Sequence, residues 1–247
     1  MNIILFNEQE IYSPLLAHDK RNIHLLKTLH KKEGEYFDAG VLGGKTGRGQ
    51  IKKIDGEKQI EFSLCLTDNP PPKINIRAAV GFTRPIQLRR ILRELCNMGV
   101  YAIDLLETDM GDKSYRQTKL FEDGGAQAAL LEGAEQARDT ILPEINIFTG
   151  IENWLKCVFN NDHNDHFKDT LLLAPDNVDP KIPFNGIKSK NNAIIIIGSE
   201  RGFSDRERAI LDNYNFIRFK LGERALRTET ACTAAVILAM EKLNILC

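Results

Sequence analysis

Three consecutive prolines, Pro70-Pro71-Pro72, preceded by Asp68-Asn69, cut this 247-residue chain into two stretches of different periodicity. Proline lacks a backbone N–H and fixes φ, so three in a row cannot continue a strand ladder and favour a stiff, extended segment. Before them lie short strand candidates at Ile3–Phe6, Tyr36–Leu42, Gly49–Ile54 and Gln59–Leu66. GGKTGRG and DGEK separate the later ones, and one helical turn, His24–His30, carries Leu25, Leu26 and Leu29. That spacing predicts a small barrel or sandwich. After the prolines, strands alternate with helices. The strands are Ile74–Gly81, Ala102–Leu106, Thr170–Leu173, Ala193–Ile197 and Phe216–Leu221. The helices are Gln87–Met98, Lys119–Arg138, one opening at Ser204 with Glu207 as its capping-box partner, and Glu223–Leu243. Such alternation implies an α/β fold with a mostly parallel sheet covered on both faces. The expected organisation is a β-rich domain over residues 1–70 and an α/β domain over residues 71–247.

Net charge is −1, so global charge argues neither for nor against a nucleic-acid partner. Local charge says more. From His18 to Lys53 there are nine Lys and Arg against four Asp and Glu, a net of +5. Such a patch can neutralise phosphates, and equally can be a solvated basic face. The five cysteines, Cys65, Cys96, Cys157, Cys232 and Cys247, have no metal-ligand or redox spacing and read as reduced, mostly buried thiols of a cytoplasmic protein. The N-terminus, MNIILFNEQE, lacks the basic start and long apolar stretch of a signal peptide. No apolar run approaches the roughly 20 residues that span a bilayer, so no membrane partner is expected. GGKTGRG resembles a phosphate-binding loop, but the glycine required five positions before Gly44, with four residues between, is Ala39, and strand candidates flank it; a hairpin tip is expected. Asp162-His163-Asn164-Asp165-His166 reads as an exposed loop rather than a metal site, and no metal is expected. Trp154, in IENWLKCVF, reads as a helix-packing residue.

Two segments carry the chemistry. In AIIIIGSERGFSDRERAIL (193–211) a buried strand ends at Gly198, a loop turns, and a helix begins near Ser204. Loops at the carboxyl ends of parallel strands are where open α/β sheets bind ligands, and Gly198 and Gly202 permit close backbone approach. In FKLGERALRTETACTAAVILAM (219–240) a strand again ends at a glycine, Gly222. Arg224, Arg227, Thr228, Glu229 and Thr230 then cluster at the mouth of an apolar helix rich in small residues. Packing alone does not account for that polar cluster.

GSERGFSDRE resembles the pattern G-P-E-G-G-[FL]-[ST]-x-x-E, and LGERALRTETA resembles LGxRILRTETA. The pair, about 25 residues apart near the C-terminus, resembles the RsmE-type SPOUT RNA methyltransferases. His24-Leu25-Leu26 with Lys32-Glu33-Gly34-Glu35, Asn97-Met98-Gly99-Val100, Ala134-Glu135-Gln136 and Leu142-Pro143-Glu144-Ile145 extend the likeness along nearly the whole chain. The resemblance implies an N-terminal PUA-like β-barrel and a C-terminal α/β-knot domain with a trefoil knot. It implies S-adenosylmethionine (SAM) as cofactor, and methylation of N3 of a uridine in 16S ribosomal RNA of the small subunit. It further implies a homodimer formed through the C-terminal domain, with the last helix and its small residues Ala234 and Ala235 at the interface. Carried over residue by residue, the cofactor loops are Ile197, Gly198, Ser199, Glu200 and Gly202; Leu221, Gly222 and Leu226; and Leu173 and Ala174 before Pro175, with Thr230 nearby. Arg227 would contact a phosphate or uracil oxygen, and Glu229 would act as base or anchor an arginine. Lys20, Arg21, Lys27, His30, Lys45 and Arg48 would face RNA.

The sequence departs from the family pattern in places. Ser199 replaces Pro, and Arg201 replaces a Gly that positive φ would require. His30 stands for Arg, Glu94 for Lys and Asn97 for Glu, and Arg138-Asp139 replaces a small residue followed by Arg. These departures leave open a paralogue that binds RNA without catalysis, or an enzyme acting at another RNA position.

Overall fold

The computed structural model describes residues 2–117, 119–122, 124–159, 168–178, 180 and 182–246. Asp162–His166 and Cys247 lie outside them. The chain divides into two compact units, Met1–Pro72 with Leu131–Leu142, and Lys73–Leu130 with Pro143–Cys247. No helix among the described residues is long and apolar enough to cross a membrane.

The first unit holds β1 (Ile4–Phe6), a short helix α1 (Lys20–Ile23) continued by a wider π-type turn over His24–Thr28, and three strands, β2 (Tyr36–Val41), β3 (Thr46–Ile54) and β4 (Ile60–Asp68). They form one sheet in the order β1-β2-β3-β4. β1 runs parallel to β2, with Ile4 opposite Ala39, and the other pairs are antiparallel. GGKTGRG is the turn of the β2–β3 hairpin, continuing into β3. Ile4, Phe6, Leu25, Phe37, Ile51 and Ile60 pack together as this unit's core. The segment 131–142 belongs here through its backbone. Ile3 N donates to Glu135 O at 3.1 Å, and Gly43 N donates to Thr140 O at 2.9 Å.

The second unit is a parallel α/β sheet. Its strands are β5 (Ile74–Gly81), β6 (Val100–Leu106), β7 (Glu144–Phe148), β8 (Thr170–Pro175), β9 (Asn192–Ile197) and β10 (Ile217–Phe219). Their order is β10-β8-β9-β5-β6-β7, all pairs parallel. The helices are α2 (Pro85–Asn97), α3 (Lys119–Glu122), α4 (Gly125–Ala137), which runs on into the other unit, α5 (Ile151–Phe159), α6 (Asp205–Asn213) and α7 (Thr228–Lys242). On one face Trp154 and Leu155 of α5 and Leu211 of α6 pack with Ala79, Ile194 and Ile196. α2 and α7 pack against each other and against strands of the same sheet. Burying both faces explains why Ile194–Ile197 is continuously apolar rather than alternating.

Local signals set the helix ends. Pro85 opens α2 at its first position, where its missing N–H has no intrahelical partner to lose, and Gly99 at φ +80° stops the helix. Ser204 caps α6 as its sequence predicts. Its side chain accepts from Glu207 N, and Glu207 Oε2 accepts from Ser204 N at 2.8 Å. Three expectations need correction. The helix expected over Lys119–Arg138 is two helices, and Gly124, at φ +69°, lies in the break between them. The last helix begins at Thr228 rather than Glu223, because Gly222 at φ +106° turns the chain and residues 220–227 form a loop. Of the four described cysteines, Cys96 and Cys232 are buried while Cys65 and Cys157 are exposed, so the thiols are not mostly buried.

Candidate functional site

β9 lies beside β5, while β6 and β7 extend the sheet on one side and β8 and β10 on the other. The chain therefore changes direction between β5 and β9, the kind of point where open parallel sheets place ligands beyond their strand ends. At the ends of β8 and β9 and the start of the β10–α7 loop lies a cleft of about 260 Å³. Its walls come from three loops: the one after β8 (Asp176, Val178), the one after β9 (Gly198–Gly202) and the one before α7 (Leu221, Leu226).

The β9 loop folds back on itself. Ser199 and Gly202 form an isolated antiparallel bridge, with Gly202 N donating to Ser199 O at 2.9 Å. A Cβ on Gly198 would stand 2.8 Å from Gly202 C, and one on Gly81 would stand 2.6 Å from Ser199 N. The positive φ of this loop falls on Gly202, at +75°, not on Arg201. Arg201 is therefore accommodated in ordinary backbone geometry, and its replacement of a family glycine carries no steric penalty. The far end of the loop is tied down. Buried Glu207 accepts from Asp109 N at 2.8 Å, Ser204 Oγ donates to Asp109 Oδ2 at 2.6 Å, and Arg206 pairs with the same carboxylate at 2.8 Å. The hydrogen bonds from Arg206, and then from Ser204, hold the Asp109 carboxyl below its usual range.

One part of the cleft is ionic. Asp176, buried, accepts from Arg208 Nε at 2.7 Å, lies 3.5 Å from Arg218 Nη1, and accepts from Val178 N at 3.1 Å. Another part is apolar and uncovered: Leu226 is 40% exposed and Val178 50% exposed although both line a concavity. A ligand with a flat heterocycle to cover these side chains and polar groups for the ionic part fits such a lining.

Of the residues the sequence singles out for a cofactor, Ile197, Gly198, Ser199, Glu200, Gly202, Leu221 and Leu226 line this cleft. Leu173 and Ala174 are buried in β8, just before Pro175, which does line it. Gly222 lies next to Leu221 on the loop, and Thr230 is exposed in the first turn of α7; neither is a lining residue. Sequence reasoning missed Asp176, Arg208 and Thr228 as lining residues. Asp176 was discoverable as the residue after a buried parallel strand, whereas Arg208 comes from α6 with no local signal. Arg227 is the exposed N-cap of α7, and its side chain makes no cap bond. Glu229 does not line the cleft. It faces α2, with Oε1 3.9 Å from Arg90 Nη1 and Oε2 buried without a hydrogen-bond partner among the described residues.

The basic residues of the first unit divide. Lys20, Lys27, His30, Lys45 and Arg48 are exposed. Arg21 is half-buried, with its guanidinium on Glu10 at 2.9 Å, on Asp19 at 2.7 Å and over the Phe6 ring. It therefore holds the N-terminal segment to α1.

Comparison with known proteins accords with this geometry. The RNA methyltransferase domain family matches residues 69–240. The chain is 33% identical over 98% of its length to ribosomal RNA small subunit methyltransferase E 1 of Borreliella burgdorferi, covering 99% of that protein. It is 31% identical to ribosomal RNA small subunit methyltransferase E of Treponema pallidum, over 97% of this chain and 91% of that one. Among solved structures, a methyltransferase from Legionella pneumophila in complex with SAM superposes with a TM-score of 0.71 at 21% identity, with 98% of each chain covered. Ribosomal RNA small subunit methyltransferase E from Neisseria gonorrhoeae, bound to SAM, gives 0.70 at 19%, with the same coverage. A glycine-loop cleft at the strand ends of a parallel sheet and full-length likeness to named relatives converge, and the chain belongs to the ribosomal RNA small subunit methyltransferase E family of RNA methyltransferases.

Proposed function

We propose that the chain transfers a methyl group from SAM to N3 of a uridine in 16S ribosomal RNA of the small subunit, as a cytoplasmic homodimer joined through its C-terminal domains. The observation that carries this reading is the cleft itself: both motif loops, Gly198–Gly202 and Leu221–Leu226, line one concavity in a chain with full-length relatives named for this activity. In this reading the two loops belong to a knotted path, and the first unit is a PUA-like barrel that holds RNA through Lys20, Lys27, His30, Lys45 and Arg48. Arg21 supports that surface from within.

When bound, SAM supplies an electrophilic methyl on a sulfonium. The chain's own residues do the rest. Leu226, Val178 and Ile197 cover the adenine, and the folded-back Gly198–Gly202 loop offers backbone groups to the sugar and the amino-acid tail. Holding donor and acceptor in line is the chief contribution a protein makes to such a displacement. Arg227, unpaired among the described residues at the mouth of α7, contacts a phosphate or uracil oxygen. Glu229 anchors Arg90. Arg201, whose backbone is unstrained, is no obstacle to activity.

The test is methyl transfer to purified, unmodified small ribosomal subunits, read by nucleoside mass spectrometry. The expected product is 3-methyluridine. Another methylated nucleoside would move the target, and none at all with SAM bound would make the chain an RNA-binding paralogue. Arg227→Ala should lower turnover while leaving SAM affinity unchanged; an equal loss of affinity would make it a cofactor residue.

A further inference from the structure

A second cleft, also of about 260 Å³, adjoins the first. Phe82 and Arg84, after β5, line it together with Met110, Gly111, Asp112 and Tyr115, after β6, and Ser199, Glu200 and Arg201. It thus lies beyond the ends of β5, β6 and β9, on the opposite side of the β9 loop from the first cleft, and Ser199, Glu200 and Arg201 line both. Gly111 packs close to the β9 loop: a Cβ there would stand 2.8 Å from Thr108 Oγ1 and in ordinary contact, 3.7 Å, with Ser199 Cβ. The cleft is polar, with two aromatics, Phe82 and Tyr115, in its lining. Glu200 is oriented within it, with Oε1 accepting from Arg84 N at 3.3 Å and Oε2 lying 3.7 Å from Arg84 Nε. Tyr115 Oη lies 3.4 Å from the same Arg84 Nε. Arg201 is exposed; the neighbouring Asp112 is hydrogen-bonded by Ser114 and feels the charge of Arg201 across the cleft.

Methyl transfer requires donor and acceptor in adjoining spaces a few ångströms apart. We propose that this second cleft receives the acceptor nucleotide, with Arg84 and Arg201 on its oxygens and the Glu200 carboxylate taking its imino proton. The inference rests on the methyltransferase reading and names that reaction's acceptor site. A pyrimidine imide presents two carbonyl oxygens flanking an N–H, and two guanidinium groups and a carboxylate lining one cleft supply the complementary donors and acceptor. The N3–H bond breaks with its proton passing to Glu200. The nitrogen lone pair then forms the new N–C bond, and the C–S bond breaks with its electron pair left on sulfur, converting sulfonium to neutral thioether. Tyr115 offers a face for stacking.

Two variants of the full chain test this. Arg201→Ala alters an exposed side chain whose charge neighbour here is Asp112, and should raise KM for unmodified small subunits about tenfold, with SAM affinity by calorimetry within about twofold of the parent. Glu200→Gln should lower kcat about a hundredfold, and its rate should recover as pH rises toward the ionisation of the free imide. A merely structural glutamate would give the same loss at every pH. A loss of SAM affinity in Arg201→Ala with KM for subunits unchanged would overturn the assignment. A third readout needs no activity: small-subunit RNA carrying 4-thiouridine is irradiated with the parent protein and the cross-linked peptides are sequenced. Cross-links within Phe82–Arg84 or Met110–Tyr115 are expected even if the methyltransferase reading fails. Cross-links confined elsewhere, or none, sink the acceptor cleft whatever the enzyme's activity.

Discussion

Gly198 concentrates at one residue the requirement that the β9 loop turn back on itself. A methyl group there meets backbone atoms of Gly202, at 2.8 Å from C and 2.9 Å from O, and backbone cannot rotate aside as a side chain can. Overpacking of this kind costs about 1–3 kcal/mol, and about 1.4 kcal/mol is a tenfold change in affinity. Gly198→Ala should therefore weaken SAM binding about tenfold or more in calorimetry while circular dichroism stays native; unchanged affinity would show that the loop gives way elsewhere. Arg21 makes a different point. Composition placed it in a basic RNA-facing patch, but charge type alone does not tell a solvated cation from a paired one. The Arg21 hydrogen bonds hold Glu10 below its ordinary 4.5. Burial pushes Asp19 up, but the hydrogen bonds from the Arg21 side chain and backbone outweigh it and bring the carboxyl below its ordinary 3.8. Carboxylates with lowered folded-state values contribute stability that is complete above their ordinary values and is lost as pH falls through the lowered ones. Both groups are partly solvated, so the contribution is modest. Arg21→Met should abolish that part of the acid sensitivity, seen as a flatter dependence of thermal stability on pH below about 4.5; an unchanged slope would mean that other carboxylates carry it.

At the scale of elements, one buried carboxylate joins four of them. Asp104 on β6 accepts from Arg77 Nε of β5 at 2.5 Å, from Asn146 Nδ2 of β7 at 3.1 Å, and from Trp154 Nε1 of α5 at 2.7 Å. Removing one member of a buried ion pair leaves its partner uncompensated, at about 3–5 kcal/mol. Asp104→Ala should lower unfolding stability by that order in denaturant titration, and a change under about 1 kcal/mol would mean that water replaces the carboxylate. The sequence shows why some elements were legible and others were not. β5 matches Ile74–Gly81 at both ends, because prolines precede it and a glycine closes it. Ser204 and Glu207 announce α6 through a reciprocal cap that depends only on local spacing. β7 is five residues and was seen only as a motif, since a short run after Pro143 carries little periodicity. Trp154 packs in the core as its context predicts, while its N–H bond to Asp104, 50 positions back in the chain, is beyond any local pattern. Glu223–Leu226 suits a helix, yet the glycine before it and the demands of the cleft make it a loop, where tertiary structure overrides propensity. The site follows the same division. The two glycine loops that line the cleft are contiguous motifs, legible locally, whereas Asp176, Arg208 and the second cleft exist only once distant strand ends are brought together.

At the scale of the whole molecule, the proline segment is where periodicity changes, but it is not the only place where the chain passes between units. Residues 131–142 return to the first unit after α4. There Arg138, at φ +58°, pairs with Asp38 at 3.0 Å, and Thr140 Oγ1 donates to Gly44 O at 2.5 Å. A positive φ at Arg138 agrees with the small residue the family pattern places at that position, and the ion pair with Asp38 helps hold the strained backbone in place. The consequence concerns truncation. A fragment cut at Pro72 keeps 131–142 but loses the partners of Glu135 O, Arg138, Thr140 O and Thr140 Oγ1, and exposes Ala134 and Thr140, both fully buried in the intact chain. Apolar surface and orphaned backbone groups of this kind destabilise whatever they remain attached to. Residues 73–247 expressed alone should therefore melt below the intact chain, and limited proteolysis should cut first within 131–142, as read by mass spectrometry. If that fragment instead melts at the temperature of the full protein and resists cleavage there, the second unit is self-sufficient and the return segment is only a passenger on α4.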